Sequence, residues 1–375
     1  MTPFAPLLFF FGKDMFRHAI LFSGISVIAW LLKLNGIAWA GYLLWISLIM
    51  IATLIIWKAG DFFSSAATYV EEKHDIPQSI KAAVIDAIAS SFPEFCVAII
   101  AVILIGRAEV GISTIVGSAL YNVLVIPAAA GLVAASPMVI SREVVWRDNI
   151  YYLGVVLLLG AMLWQFPNEW GAGVAVLFLL TYLGYVFLLQ RDFKKAKKQK
   201  ADSPETEAME TEVDEDDELE LTSEKKAWIW IIGMMIVMGG ASHLLVESSL
   251  ALGDLLGIDG VIMGFVVIAA GTSVPDTVLS VISAKKGHYD AAISNVFGSN
   301  IFDICICLSF PILIALAMGG GPTPIVLPQI ELIGSLIAAT LVAFYFFRSG
   351  YELSKPESII LLGIYFLIVI LSFTF

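Results

Sequence analysis

The chain is 375 residues long, 59% hydrophobic and only 14% charged, with a mean hydropathy of +0.90; this excludes an ordinary soluble domain and points to a polytopic membrane protein. The formal charge of −12 is local, because residues 201–224 hold twelve acidic side chains and no Lys or Arg, and the other 21 acidic residues balance 21 basic ones. That balance gives no basic surface for nucleic acid, and the three cysteines, Cys96, Cys305 and Cys307, lie in apolar stretches that imply neither a disulfide framework nor a zinc site.

In chain order, residues 6–11 are too short for the core of a signal peptide before Lys13 and Asp14 interrupt them, so the first long apolar segment is expected to be retained. A bilayer core about 30 Å thick needs about 20 apolar residues per helix. Six segments meet that measure before the charged stretch: 18–34, 38–70, 77–105, 110–134, 148–165 and 170–190. Five follow it: 226–251, 258–284, 289–317, 325–347 and 356–375. The expected organisation is all-α: an extra N-terminal transmembrane segment (1–36), a five-helix repeat (37–190), a cytoplasmic linker (191–225) and a second five-helix repeat (226–375). The linker is first basic (RDFKKAKKQK) and then acidic (PETEAMETEVDEDDELE), a composition that cannot bury a core and reads as a solvated, largely disordered spacer. It lacks the ordered ligand spacing of an EF-hand loop.

Basic residues in short loops are kept preferentially cytoplasmic. Alternating outward from the basic start of the linker, Arg142 and Arg147, Lys285 and Lys286, and Arg348 and Lys355 all fall on that side. The opposite loops LGDLLGIDG, MGGGPTP and QFPNE carry no Lys or Arg, and Arg107 is the one dissenter. The N-terminus is then expected inside and the C-terminus outside.

Two distant segments read alike. AIASSFPEFCVAI at 87–99 matches AAGTSVPDTVLSV at 269–281, so that Pro93 maps to Pro275 and Glu94 to Asp276, 182 residues on. The same offset carries Asp61 to His243, a pair expected to serve helix packing or the interface. TIVGSALYN at 114–122 matches NVFGSNIFD at 295–303, 181 residues on. With five helices per half, the copies start on opposite faces of the membrane. Such inverted repeats are a common plan of secondary transporters, with the substrate site at the midplane between discontinuous helices.

An ionised carboxylate at the centre of a span costs about 2.5 to 3.5 kcal/mol on insertion scales. The basic residues of both motif segments lie at loop ends, so Glu94 and Asp276 have no Lys or Arg at hand to pair. A bound cation would compensate them; the alternative is a protonated carboxyl that holds helices together. Pro93 and Pro275 each remove a backbone N–H and free the carbonyl four residues back, those of Ala89 and Gly271. Two carboxylates with freed carbonyls suit the six to eight oxygens that calcium takes in flexible geometry better than the regular octahedron of magnesium. Ser118 with Asn122, and Ser299 with Asp303, share a helix face at i, i+4 and offer oxygens to a monovalent cation or serve ordinary packing. Gly117 and Gly298 are expected to allow close helix approach beside them.

SSFPEF, GTSVPDT, TIVGSALYN and NVFGSNIFD resemble the two alpha-repeats of the calcium/cation antiporter superfamily, and specifically of its sodium/calcium exchangers, across motif segments 85–123 and 267–304. TIVGSALYN, where many relatives carry Asn after the Ser, is similar to the potassium-dependent branch. The GNxxE-type signature usual in proton/calcium exchangers is absent from the sequence. The resemblance implies a calcium centre of the Glu94 and Asp276 carboxylates with the Ser90 and Thr272 carbonyls. It implies flanking sodium sites of Ser91, Ser118 and the Ala87 carbonyl, and of Ser273, Ser299 and the Ala269 carbonyl, with Asn122 and Asp303 near the centre. The departures are Ser90 in place of the usual Gly-Thr or Gly-Gly neighbourhood, and Phe92 beside the first motif.

The expected activity is sodium-for-calcium antiport by alternating access in a plasma (cell) membrane. The transported ions are calcium and sodium, with potassium kept open as a co-substrate. The partners are the lipid bilayer and inorganic cations, with no cofactor, no enzymatic chemistry and no nucleic acid. Proton or potassium coupling and a cation channel remain the alternatives.

Overall fold

The computed structural model describes residues 5–74, 87–201, 221, 223–324 and 331–374. Eleven helical segments account for nearly all of them. Helix α1 (Ala5–Leu34) is broken at Gly12, whose φ of 66° is left-handed; it is followed by α2 (Ala40–Lys73). Helix α3 (Ala87–Ile99) carries Pro93 and widens into a π turn over Ile100–Ile105, which Gly106 ends in a left-handed conformation. Then come α4 (Ala108–Val133), α5 (Val144–Gln165, opening on a π turn) and α6 (Ala172–Ala201).

The second half runs α7 (Glu224–Leu256), α8 (Gly260–Lys285), α9 (Tyr289–Ala317), α10 (Glu331–Arg348) and α11 (Lys355–Ser372). Wide turns interrupt α8 at Gly264–Ile268 and α9 at Asp303–Cys307. Local chemistry sets several starts. The Ser223 hydroxyl accepts from the Lys226 N–H at the head of α7, and Asp259 Oδ1 accepts from the Val261 N–H, 2.7 Å away, at the head of α8. Ser354 and Glu357 form a reciprocal capping box at α11.

Ten of these helices are long and apolar enough to cross a membrane, and α3 adds a shorter apolar stretch, Ser90–Ile105. The protein is an integral, multi-pass membrane protein. One expectation needs adjustment. The basic start of the linker, residues 191–201, continues α6 as helix, since its Lys, Ala and Gln are all good helix formers. The acidic residues 202–220, the start of the expected third span (77–86) and that of the tenth (325–330) lie outside the described residues.

Within its most apolar window α4 is 78% buried and α1 only 17%, which puts α4 at the centre and α1 at the periphery. Around α4 a large apolar core joins α5, α6, α9, α10 and α11. A second core joins α2, α3, α7 and α8. Helices α2 and α7, the first of each repeat, pack on one another, and Glu224 at the head of α7 pairs with Lys73 (3.1 Å) and His74 (3.0 Å) at the foot of α2.

Two miniature antiparallel pairs display the inversion. Strand β1 (Met138–Val139), between α4 and α5, pairs with β4 (Glu352–Leu353), between α10 and α11. Strand β2 (Glu169–Trp170), between α5 and α6, pairs with β3 (Thr323–Pro324), between α9 and α10. Because β1 and β2 flank opposite ends of α5, and β3 and β4 flank opposite ends of α10, equivalent helices of the two halves run in opposite directions. The β1/β4 face gathers Arg142, stacked on Tyr351, and Arg348, stacked on Trp146. The Ser141 N–H donates to Asp290 Oδ1 (2.7 Å), which brings the Lys285–Lys286 loop to the same face. At the other end, Arg107 closes on Glu109 at 2.9 Å and lies against Gly260.

Candidate ion site

The four motif segments meet where α3, α4, α8 and α9 cross. Glu94 and Asp276 are each 1% exposed, and Ser91, Ser118, Asn122, Thr272, Ser273, Ser299 and Asp303 are likewise buried. Their contacts exchange between the repeats. Ser91 Oγ lies 2.8 Å from Ser299 Oγ, and Ser273 Oγ lies 2.9 Å from Ser118 Oγ. Ser273 is the repeat mate of Ser91 and Ser299 that of Ser118, so each bridge ties the proline-bearing helix of one repeat to the following helix of the other.

The carboxylates sit on this frame with the same symmetry. Ser118 Oγ donates toward Glu94 Oε1 (3.4 Å), and its counterpart Ser299 Oγ toward Asp276 Oδ2 (3.5 Å). Ser273 Oγ is also 3.5 Å from Glu94 Oε1, and Ser118 Oγ 3.5 Å from Asp303 Oδ2. Each hydroxyl has one proton. The serines therefore cannot satisfy both one another and the carboxylate oxygens around them. Glu94 Oε2, Asp276 Oδ1 and Asn122 Oδ1 are buried oxygens without a hydrogen-bond partner.

No ion pair among the described residues involves Glu94, Asp276 or Asp303. An uncompensated buried charge costs several kcal/mol even after the surroundings relax. Three buried carboxyl groups, two of them with a free oxygen, therefore form a place for positive charge. Among the described residues no three His, Cys, Asp or Glu side chains converge as a metal cluster, so a cation here draws on hydroxyl, amide and backbone oxygens as well. Calcium and sodium both accept such mixed oxygen shells.

The helices provide the setting. Gly117 faces the Phe265 carbonyl in the wide turn of α8 so closely that no Cβ could stand there, and α4 thereby seats Ser118 against Ser273. Gly298 does not repeat this role, since the nearest atom to a Cβ there would be the Tyr185 hydroxyl at 3.9 Å; the expected close approach occurs in the first repeat only. Asp303 begins the wide turn of α9, and wide turns inside helices recur at functional sites. The Ala269 carbonyl accepts from the Thr272 hydroxyl (3.1 Å), and the Ser91 carbonyl from Cys307 Sγ (3.9 Å). Ser90 is buried on α3, and Ala87 is the first residue of that helix.

Asp61 pairs with Lys58 at 3.4 Å, and His243 lies 3.6 Å from Glu247, so each is engaged near its own helix and outside the serine and carboxylate frame. Two site neighbours had not been singled out by the sequence. Asn300 accepts from Asn122 Nδ2 (3.0 Å), and Cys307 donates to Asp303 Oδ1 (3.7 Å). Asn300 was hidden because its repeat mate is Ala119. The usable signal was that very mismatch inside a well-matched motif.

The sequence pattern of the family described as sodium/calcium exchanger protein matches residues 44–190 and 226–374, nearly all of both repeats. The chain belongs to that family. The exchanger is 29% identical over 269 residues to the inner membrane protein YrbG of Escherichia coli (strain K12), covering 72% of this chain and 79% of that one. It is 25% identical over 401 residues to sodium/potassium/calcium exchanger 5 of Homo sapiens, covering 83% and 79%. Among solved structures it shares the fold of an H+/Ca2+ exchanger, CAX, with a TM-score of 0.69 at 16% identity over 97% of this chain and 89% of that one. It also shares that of the sodium-calcium exchanger NCX_Mj, with a TM-score of 0.57 at 18% identity over 87% and 97%. The exchanger is thus a ten-helix inverted-repeat transporter with one additional N-terminal helix, and not an enzyme.

Proposed function

We propose that the exchanger drives calcium across the cell membrane against sodium by alternating access. Glu94 and Asp276, with the Ser90 and Thr272 carbonyls, hold calcium. Ser91, Ser118 and the Ala87 carbonyl on one side, and Ser273, Ser299 and the Ala269 carbonyl on the other, hold sodium, with Asn122 and Asp303 between them. The observation that carries this reading is the pair of repeat-related carboxylates, buried, unpaired by Lys or Arg, and each with an oxygen that no hydrogen bond occupies. Calcium and sodium compete for that one acidic frame. Occupancy by either neutralises it and lets the repeats rock past one another, whereas the empty site keeps a buried charge that resists the switch. The basic β1/β4 face is cytoplasmic in this reading, and the linker with it.

The test is calcium uptake into proteoliposomes under imposed sodium gradients, with and without potassium, and separately under a pH gradient. Uptake follows the sodium gradient, and Glu94→Gln and Asp276→Asn each reduce it about a hundredfold or more, as loss of one partner from a buried charge assembly does. Near-normal exchange in both variants would refute the site. Uptake that needs no counter-ion would refute antiport in favour of a channel. The third buried carboxyl, Asp303, supports a second reading in which potassium accompanies calcium; potassium then stimulates uptake, and Asp303→Asn removes that stimulation.

A further inference from the structure

Asn122 Oδ1 is a useful cation ligand only if the amide is turned the right way. Its two ends differ little in shape, and a flipped amide would present an NH2 group to the ion. We propose that Asn300 is a positioning residue that sets this orientation, and that it does so through the backbone of its own repeat mate.

The argument starts from an atom that cannot change roles. The Ala119 carbonyl can only accept, and Asn300 Nδ2 lies 3.2 Å from it. Asn300 therefore turns its NH2 group toward Ala119 and its oxygen the other way. That oxygen, in turn, can only accept, and it meets Asn122 Nδ2 at 3.0 Å. Asn122 is obliged to give its NH2 group to Asn300, which leaves Oδ1 buried and without a partner. Asn122 lies one turn beyond Ser118 on α4, on the face that touches Glu94 and Asp303.

Both asparagines are fully buried, so water from the membrane surfaces does not substitute for either contact. One turn earlier on α9, the Phe297 ring packs at 5.7 Å against Tyr152 of α5 and anchors this stretch of the helix. The relay breaks the symmetry of the repeats in a purposeful way. Position 119 carries Ala, so its carbonyl is open to a side chain from the other repeat, and the mate of Asn122 is Asp303, a carboxylate with no orientation to set.

This inference rests on the reading of Asn122 as a cation ligand. The experiment measures the half-saturating sodium concentration for sodium-driven calcium exchange in proteoliposomes for Asn122→Ala, Asn300→Leu and Asn300→Asp, with maximal rate recorded separately. Asn300→Leu fills the space but frees the Asn122 amide to flip, and it raises the half-saturating sodium concentration about tenfold, the scale of a lost buried hydrogen bond. The carboxylic acid of Asn300→Asp donates its O–H to the Ala119 carbonyl, keeps an acceptor for Asn122 Nδ2 and stays within about threefold of the parent on the same scale. A second check uses Asn122→Asp as background: its two equivalent oxygens need no orienting, so Asn300→Leu adds no tenfold loss there.

A merely structural Asn300 would lower maximal rate or yield in both backgrounds and leave half-saturation alone, which would overturn the inference, as would equal half-saturation in the Leu, Asp and parental forms. If Asn300→Leu does not fold, a shift well beyond threefold in Asn300→Asp overturns it as well. Should Asn122→Ala leave half-saturation unchanged, the ligand assignment itself fails, a result distinct from failure of the relay.

Discussion

At the scale of single residues, the site is a lattice of hydroxyls that link the repeats crosswise. Ser91 bonds Ser299 and Ser273 bonds Ser118, while the repeat mates Ser91 and Ser273 are not paired with one another. Energetic coupling should follow these contacts and not the sequence relationship. In a double-mutant cycle on sodium activation of exchange, Ser91→Ala and Ser299→Ala are expected to couple by about 0.5 to 1.5 kcal/mol, the range of a buried hydrogen bond. Ser91→Ala with Ser273→Ala should couple by less. Equal coupling in the two cycles would remove the crosswise bridge as an energetic unit. The carboxylates were legible in the sequence because burying charge in an apolar span requires a compensating reason, and the duplication supplied two independent examples. Which serine faces which carboxylate was not legible, since that depends on how two oppositely directed helices cross. The Lys58–Asp61 pair was likewise missed, because a single Lys in an apolar span shows its partner only once the helix phase is known.

At the scale of elements, the repeats match in motif but not in every contact. Gly117 and Gly298 occupy equivalent positions, and their spacing suggested equal roles. The structure separates them: Gly117 backs onto the Phe265 carbonyl, whereas Gly298 has room. Gly117→Ala must push α4 away from the wide turn of α8, an overpacking that costs about 1 to 3 kcal/mol. Gly298→Ala meets only ordinary contact with Tyr185 and is expected to be neutral. Thermal unfolding of the two variants in detergent distinguishes them, and equal destabilisation would mean that the close approach at Gly117 does not carry the α4–α8 packing. The wide turns at Gly264–Ile268 and Asp303–Cys307 were not visible in sequence. A π turn adds one residue without altering composition, so neither hydropathy nor propensity reports it. The spans themselves were visible, because each required a long apolar run and each loop carried Gly, Pro or charge. The continuation of α6 to Ala201 is not legible either, because a composition that cannot bury a core points to a spacer, although solvation and helicity are compatible.

At the scale of the whole molecule, inversion of the halves was inferred from span count and basic loops, and the two strand pairs give it a direct geometric form. These pairs, two residues long in each strand, could not be predicted from sequence, since their loops hold only short, turn-rich segments. Their consequence is that positions far apart in the chain share a face. With Cys96→Ala as background, the other two native cysteines being buried, single cysteines at Val139 and Glu352 should react with a membrane-impermeant thiol reagent from one side of sealed vesicles. Single cysteines at Asn168 and Met318 should react from the other. If Val139→Cys and Asn168→Cys label from the same side, α5 does not cross the membrane and the inverted plan fails. If the expected sides are found, α5 and α10 cross in opposite senses, which is the condition for Glu94 and Asp276 to reach one shared centre from oppositely directed helices. The same labelling under saturating calcium and under saturating sodium leaves these four loop positions on their assigned sides, because alternating access changes exposure of the centre and not the topology of the ends.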